Sequence, residues 1–140
     1  MGTATVVEAA LAVCEITGEA SLLSVRAGLR DATSELGFGI VAQTKFITAA
    51  SELARNILRY AGQGSMAVER LRDGDRAGVR ARFEDGGPGI ADVDLALEDG
   101  YSTGDSLGVG LSGAKRLVDD FHLDSVVGRG TVVEITTWLR

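Results

Sequence analysis

Four short groups of residues in this sequence have the types and spacing to do chemistry. Glu52 and Asn56 lie four apart in an apolar-periodic stretch, so on a helix they project from one face, one turn apart. A carboxylate and an amide oxygen placed this way can hold a hard cation or orient water on it. The pattern alone is weak, because Glu-x-x-x-Asn arises by chance in many helices. The second group, Glu84-Asp85-Gly86-Gly87-Pro88-Gly89-Ile90, holds the only proline of 140 residues and three of the 19 glycines. The strand feeding it, Val79-Arg80-Ala81-Arg82-Phe83, alternates apolar and basic residues, so one face is buried and the other wet. Continuing that period puts Asp85 on the side of Val79, Ala81 and Phe83. A carboxylate ending a core-facing row is costly unless something donates hydrogen bonds to it. Glycines beside it remove side chains where another molecule could approach the backbone. Asp85 is therefore expected to be the floor of a ligand pocket, suited to an exocyclic amino group such as that of adenine. An ordinary strand-ending turn would use the same residue types, and the parity of Asp85 argues against it.

The third group, Ser106-Leu107-Gly108-Val109-Gly110-Leu111, leads straight into a helix. Free N–H groups at a helix start bind phosphate, and glycines allow close approach. It is not a dinucleotide fingerprint, because it follows a loop rather than a strand and lacks the third glycine. Without a Gly-Lys-Ser/Thr ending it is not a P-loop either, and a flexible surface connection could have the same composition. The fourth is Thr131, which shares parity with Val133, Ile135, Thr137 and Leu139, so its hydroxyl points to an apolar side. In isolation, a β-favouring residue with a locally satisfied hydroxyl explains it as well.

The elements that must position these residues follow from periodicity. Val13 to Thr17 reads as a strand whose facing is undecided, since Leu11 pairs in parity with Val13 and Cys14 with Ile16. Leu22, Val25, Leu29, Ala32 and Leu36 recur at helical spacing over Ser21 to Leu36, and Gly37 and Gly39 stop that helix. A long helix over Ile40 to Tyr60 carries the stripe Phe46, Ala49, Ala50, Leu53, Ile57, Ala61, and Gly62-Gln63-Gly64 ends it. Met66 to Arg72 and Gly78 to Phe83 are two strands joined through Asp73-Gly74-Asp75-Arg76, a hairpin with a slightly long loop. Asp92 to Glu98 suits one or two helical turns, and the many glycines between Asp99 and Gly110 mark a mobile loop. A helix over Leu111 to Asp120 and two strands, Phe121 to Val127 and Thr131 to Leu139, hinged at Gly128-Arg129-Gly130, close the chain. This order predicts a two-layer α/β sandwich, a mixed, mostly antiparallel sheet with helices on one face, as a single domain over residues 1–140.

Composition removes several classes of function. A net charge of −6 leaves no basic surplus for a nucleic acid, while a nucleotide remains possible because a divalent metal and backbone N–H groups can meet its charge. Cys14 is alone and reads as a small core residue; His122 is the only histidine, so no Cys/His metal set exists, and it is assigned no role. No signal-peptide pattern and no apolar run near ~18 residues is present, so a cytoplasmic protein off the membrane is expected.

Taken in chain order, Glu52/Asn56, Asp85-Gly86-Gly87-Pro88-Gly89, Gly108-Val109-Gly110-Leu111 and Gly130-Thr131 resemble the boxes of the GHKL family, the Bergerat-fold ATP-binding domains of gyrase-type ATPases, histidine kinases and anti-sigma-factor kinases. The resemblance runs from about Ile40 to the C-terminus. Ser51-Glu52-Leu53-Ala54-Arg55-Asn56-Ile57 and Glu98-Asp99-Gly100-Tyr101-Ser102-Thr103 look most like the small stand-alone serine kinases that control sigma factors. The resemblance implies ATP with Mg²⁺, Glu52 as catalytic base and Asn56 as the metal ligand. It implies Asp85 as acceptor from the adenine amino group, Gly87, Gly89 and Ile90 around the base, and Thr131 on the adenine side. Asp99 to Ser106 would be a lid ordered by ATP, and Gly108, Val109, Gly110 and Leu111 a phosphate cradle. The implied partners are a STAS-domain substrate protein and a phosphatase of the PP2C type. Sequestering a sigma factor is the rival reading, and a nucleotide-binding adaptor without transfer activity a second. Where gyrase-type members carry an aspartate soon after the asparagine, Arg59-Tyr60-Ala61 stands here, which disfavours a hydrolase.

Overall fold

The computed structural model describes residues 5–98 and 110–140. Strand β1 (Val6–Ile16) is followed by helices α1 (Ser21–Glu35) and α2 (Ile40–Tyr60), then strands β2 (Gly64–Asp73) and β3 (Arg76–Asp85). A short helix α3 (Val93–Ala96), helix α4 (Gly110–Arg116) and strands β4 (Asp120–Val126) and β5 (Gly130–Trp138) complete the described chain. The five strands lie in the order β1-β2-β3-β5-β4. Every described pairing is antiparallel, so the sheet is antiparallel throughout rather than mixed. Helices α1 and α2 pack on one face of it, as expected of a two-layer sandwich, and no described helix is long and apolar enough to cross a membrane.

Helix α2 holds the layers together. Its stripe of Phe46, Ala49, Ala50, Leu53 and Ile57 is buried against the inward row Met66, Val68, Val79, Ala81, Phe83, Val133 and Ile135 of the sheet. Phe46 is fully buried, and truncating such a residue to alanine costs about 3–5 kcal/mol. Gly62 stops the helix: it adopts φ +86, and its N–H donates to the Ile57 carbonyl at 2.8 Å. At the other end the Gln43 amide donates to Thr33 Oγ1 at 2.8 Å and Ser34 Oγ at 2.9 Å, tying the start of α2 to the end of α1.

Three boundaries differ from the sequence expectations for physical reasons. Strand β1 begins at Val6, because register shifts between Val7 and Ala9 and between Ala10 and Ala12 break the alternation that would have revealed it. Beyond the second shift Cys14 and Ile16 face the core, while Val13 is 75% exposed. The β2–β3 loop is only Gly74-Asp75, since pairing continues to Asp73 and Arg76 and Gly74 supplies φ +63. Helix α4 ends at Arg116, four residues early, because the Asp119 N–H is taken by the Thr136 carbonyl and its carboxylate accepts from the Trp138 N–H at 2.7 Å.

The sheet face away from the helices is polar at its centre, where Arg80 bridges Glu69 at 2.8 Å and Arg82 approaches Glu134 at 3.6 Å. At one end of that face Trp138 lies across Gly78, whose missing side chain makes room: an added Cβ would sit 2.6 Å from the indole. The Arg76 guanidinium stacks 4.1 Å from the ring centroid, and the indole N–H donates to Asp120 Oδ2 at 2.7 Å.

Candidate functional site

Between the C-terminal half of α2, the converging ends of β3 and β5, and the segment after Asp85 lies a cavity of about 380 Å³. Its size is that of a small-molecule site. Its polar lining comes from Asn56, Arg59 and Tyr60 of α2, Asp85 of β3, Asp92 of the segment that follows and Thr131 of β5. Ile57, Phe83, Ile90, Leu95, Leu111 and Val133 make most of the apolar wall.

Strand register explains the convergence of two of them. Asp85 and Thr131 are cross-strand partners at the last rung of the β3–β5 ladder. Both follow the inward parity of their strands, Asp85 after Phe83 and Thr131 before Val133. The rung closes only because residue 130 is glycine: it adopts φ +127, and a Cβ there would collide with the Asp85 carbonyl oxygen. Asp85 was expected as the buried floor of a pocket; it lies on the cavity wall, half-buried, with Oδ1 accepting the Gly87 N–H at 2.9 Å. That bond is an Asx turn within the loop, so one carboxylate oxygen has a local donor and the other has none among the described residues.

The remaining expected residues divide. Gly89, Ile90, Gly110 and Leu111 line the cavity. Gly89 is held at φ +78 against the backbone of Val126, which seats the loop on the β4–β5 turn. Gly87 does not line the cavity; a Cβ there would lie 2.6 Å from that of Ala61, so it lets the loop pack on the end of α2. Glu52 does not line it either. It is 8% exposed, one turn before Asn56, and its Oε1 accepts from Arg55 Nη1 at 3.0 Å. Gly108, Val109 and the expected lid from Asp99 to Ser106 lie outside the described residues.

Sequence reasoning missed several residues here. Arg59, Tyr60 and Ala61 extend the cavity wall past Asn56, where the buried stripe of α2 runs out from under the sheet. Ser125 stands behind Thr131, with its Oγ 2.8 Å from Thr131 Oγ1 and accepting the Ile90 N–H at 2.8 Å. Its inward parity with Phe121 and Leu123 was a readable signal.

The donor set is specific in kind. Among the described residues no group of three His, Cys, Asp or Glu side chains could hold a metal ion, so a cation here would take oxygen from Asn56 and the rest from a ligand or water. The Asp85 carboxylate, with one oxygen lacking a local donor, stands beside the Thr131 hydroxyl on a mostly apolar wall, a setting that fits a planar base with an amino group. The profile of the histidine kinase-, DNA gyrase B-, and HSP90-like ATPases matches residues 42–140. The chain belongs to this family. Its matched region contains all but the first two residues of α2, the Asp85 loop and Thr131, which build the cavity. Among curated proteins it is similar to the serine/threonine-protein kinase RsbT of Bacillus subtilis (strain 168), 46% identical over 125 residues, which are 89% of this chain and 94% of RsbT. Among solved structures it is similar to the RsbU and RsbW domains of Rv1364c from Mycobacterium tuberculosis, with a TM-score of 0.61 at 21% identity. That match covers 92% of this chain but 33% of the larger structure, and it speaks to the fold alone.

Proposed function

We propose that this chain transfers the γ-phosphoryl group of ATP to a serine or threonine hydroxyl of a STAS-domain protein, in a bacterial partner switch that also engages a PP2C-type phosphatase. The enzyme class, an ATP-dependent protein serine/threonine kinase, follows from family membership and from 46% identity to a kinase over nearly its whole length. The observation that carries the site assignment is the meeting of Asn56, Asp85 and Thr131 on one cavity wall, with Glu52 one helical turn away.

In this reading Asp85 accepts from the exocyclic amino group of adenine through the oxygen that the Gly87 N–H leaves open, and Thr131 stands beside it. Phe83, Ile90 and Val133 keep water from the base. ATP would supply the phosphoryl group, and Asn56 would give a bound Mg²⁺ its protein oxygen, the metal's role there being to offset phosphate charge. Gly110 and Leu111, at the opening of α4, border the phosphates. Glu52 takes the proton of the acceptor hydroxyl; Arg55 engages its Oε1, leaving Oε2 for that hydrogen bond.

Incubating the protein with labelled ATP, Mg²⁺ and a STAS-domain partner tests this. Wild type should label the partner, and Glu52→Gln should slow labelling by about 10²–10⁴-fold, the usual worth of a general base, while ATP affinity stays within about threefold. Equal labelling by both proteins would remove Glu52 from the chemistry.

A further inference from the structure

Beside Asp85 and Thr131, the two residues assigned to adenine, stands a third polar side chain, Ser125, in contact with Thr131. Ser125 is the cross-strand partner of Thr131 on β4, as Asp85 is on β3, so the three form one row across the sheet. Ser125 does not line the cavity. Its Oγ lies 2.8 Å from Thr131 Oγ1, accepts the Ile90 N–H at 2.8 Å, and donates at 3.2 Å toward the Gly130 carbonyl. A hydroxyl has one hydrogen and two lone pairs. The Ile90 N–H occupies one lone pair, and the contacts to Thr131 and Gly130 share what is left.

We infer that Ser125 is a positioning residue for recognition of the base, acting through Thr131. Asp85 and Thr131 sit on the same rung, where a threonine hydroxyl released from other partners could turn to the carboxylate. Ser125 holds that hydroxyl from the opposite side at normal O–H···O distance. No hydrogen bond joins Thr131 to Asp85 among the described residues, and the second oxygen of Asp85 has no partner among them. Two hydrogen arrangements satisfy the pair. Either Thr131 donates to Ser125 and offers lone pairs to the cavity, or Ser125 donates to Thr131 and frees the Thr131 hydrogen for an acceptor on the ligand. The bond to Ile90 extends the control, because it fixes the loop that carries Pro88, Gly89 and Ile90 on the cavity wall. One hydroxyl behind the site thus keeps the base-recognition surface in order. This inference rests on the adenine assignment above.

Calorimetric titration of adenosine and of ATP into wild type, Ser125→Ala, Thr131→Val and the double variant tests it. Ser125→Ala should weaken both ligands by the same factor, about tenfold, the worth of one well-made hydrogen bond. In the Thr131→Val background the same change removes only the bond to Ile90, so it should cost clearly less, no more than about threefold, the mark of coupled residues, and Ser125→Thr should recover most of the affinity. A full loss in both backgrounds would mean that Ser125 acts by packing or through Ile90 and not through Thr131, and would overturn the inference. So would a loss confined to ATP, which points to the phosphates. If the alanine variant does not fold, Ser125→Thr and Ser125→Val, equal in bulk, replace it; equal affinities for that pair overturn the inference. Wild type that binds neither ligand overturns the adenine reading together with this one, whereas wild-type binding with an indifferent Ser125→Ala overturns the role of Ser125 alone.

Discussion

Replacing Asp85 by asparagine changes one heavy atom and should invert what the cavity prefers. In the wild type Oδ1 accepts the Gly87 N–H at 2.9 Å. That backbone donor stays in place in Asp85→Asn, so the amide oxygen must turn toward it and the NH₂ group toward the cavity. A donor then faces the amino group of adenine, itself a donor. Losing a hydrogen bond to a charged group costs about 1.5–3 kcal/mol, and the opposed donors take the total to about 3 kcal/mol, or roughly 150-fold in affinity. Stability changes little, because the Gly87 bond survives; the melting temperature should move by less than about 5 °C. The affinities of ATP and inosine triphosphate, measured by calorimetry on both proteins, give the test. Inosine carries an oxygen where adenine carries the amino group, so the variant should bind it better relative to ATP than the wild type does. A misfolded site would lose both nucleotides alike, so a swing in preference isolates the carboxylate. An Asp85→Asn protein that melts normally and binds ATP within threefold of wild type would refute the assignment of Asp85 to the base.

Two further outcomes follow from the backbone and from the thiol. Gly130→Ala, at φ +127 with its Cβ directed into the Asp85 carbonyl, should destabilise the fold by more than about 3 kcal/mol; a urea midpoint implying under 1 kcal/mol would show that β3 and β5 can splay at that end. The Cys14 thiol is raised above its ordinary pKa, first by burial and then by the neighbouring Glu15 charge, so less of it is thiolate near pH 8. Iodoacetamide should therefore modify it several-fold more slowly in the folded protein than in urea, and equal rates would show that the strand edge opens freely.

Helix α2 was legible to the residue, Ile40 to Tyr60, because its apolar stripe repeats at helical spacing and glycines flank both ends. The inward facing of Asp85 and Thr131 was legible too, since each continues a regular two-residue alternation. Strand β1 was not: its two register shifts break the two-residue alternation, and only its last four residues, Val13 to Ile16, were legible as strand. Helix α4 was drawn too long because its end is set by the Asp119 bond to Trp138, 19 residues away. The grip of Ser125 on Ile90 spans 35 residues and leaves no local trace. What periodicity could not convey were the contacts that long-range register creates, and these carry the finer geometry of the site.

Trp138 is the only tryptophan in the chain. It sits at the far end of β5 from Thr131, about 24 Å along a strand of ordinary rise, on the sheet face turned away from the cavity. Its 5% exposure and its contacts with Gly78, Arg76 and Asp120 mean that its fluorescence reports a single, well-defined environment. Emission from this indole is a built-in gauge of whether β5 is seated between β3 and β4. A ligand held in the cavity at the other end of the strand should leave its emission unchanged to first order, so an emission change on adding a ligand or a partner signals strain transmitted through the sheet.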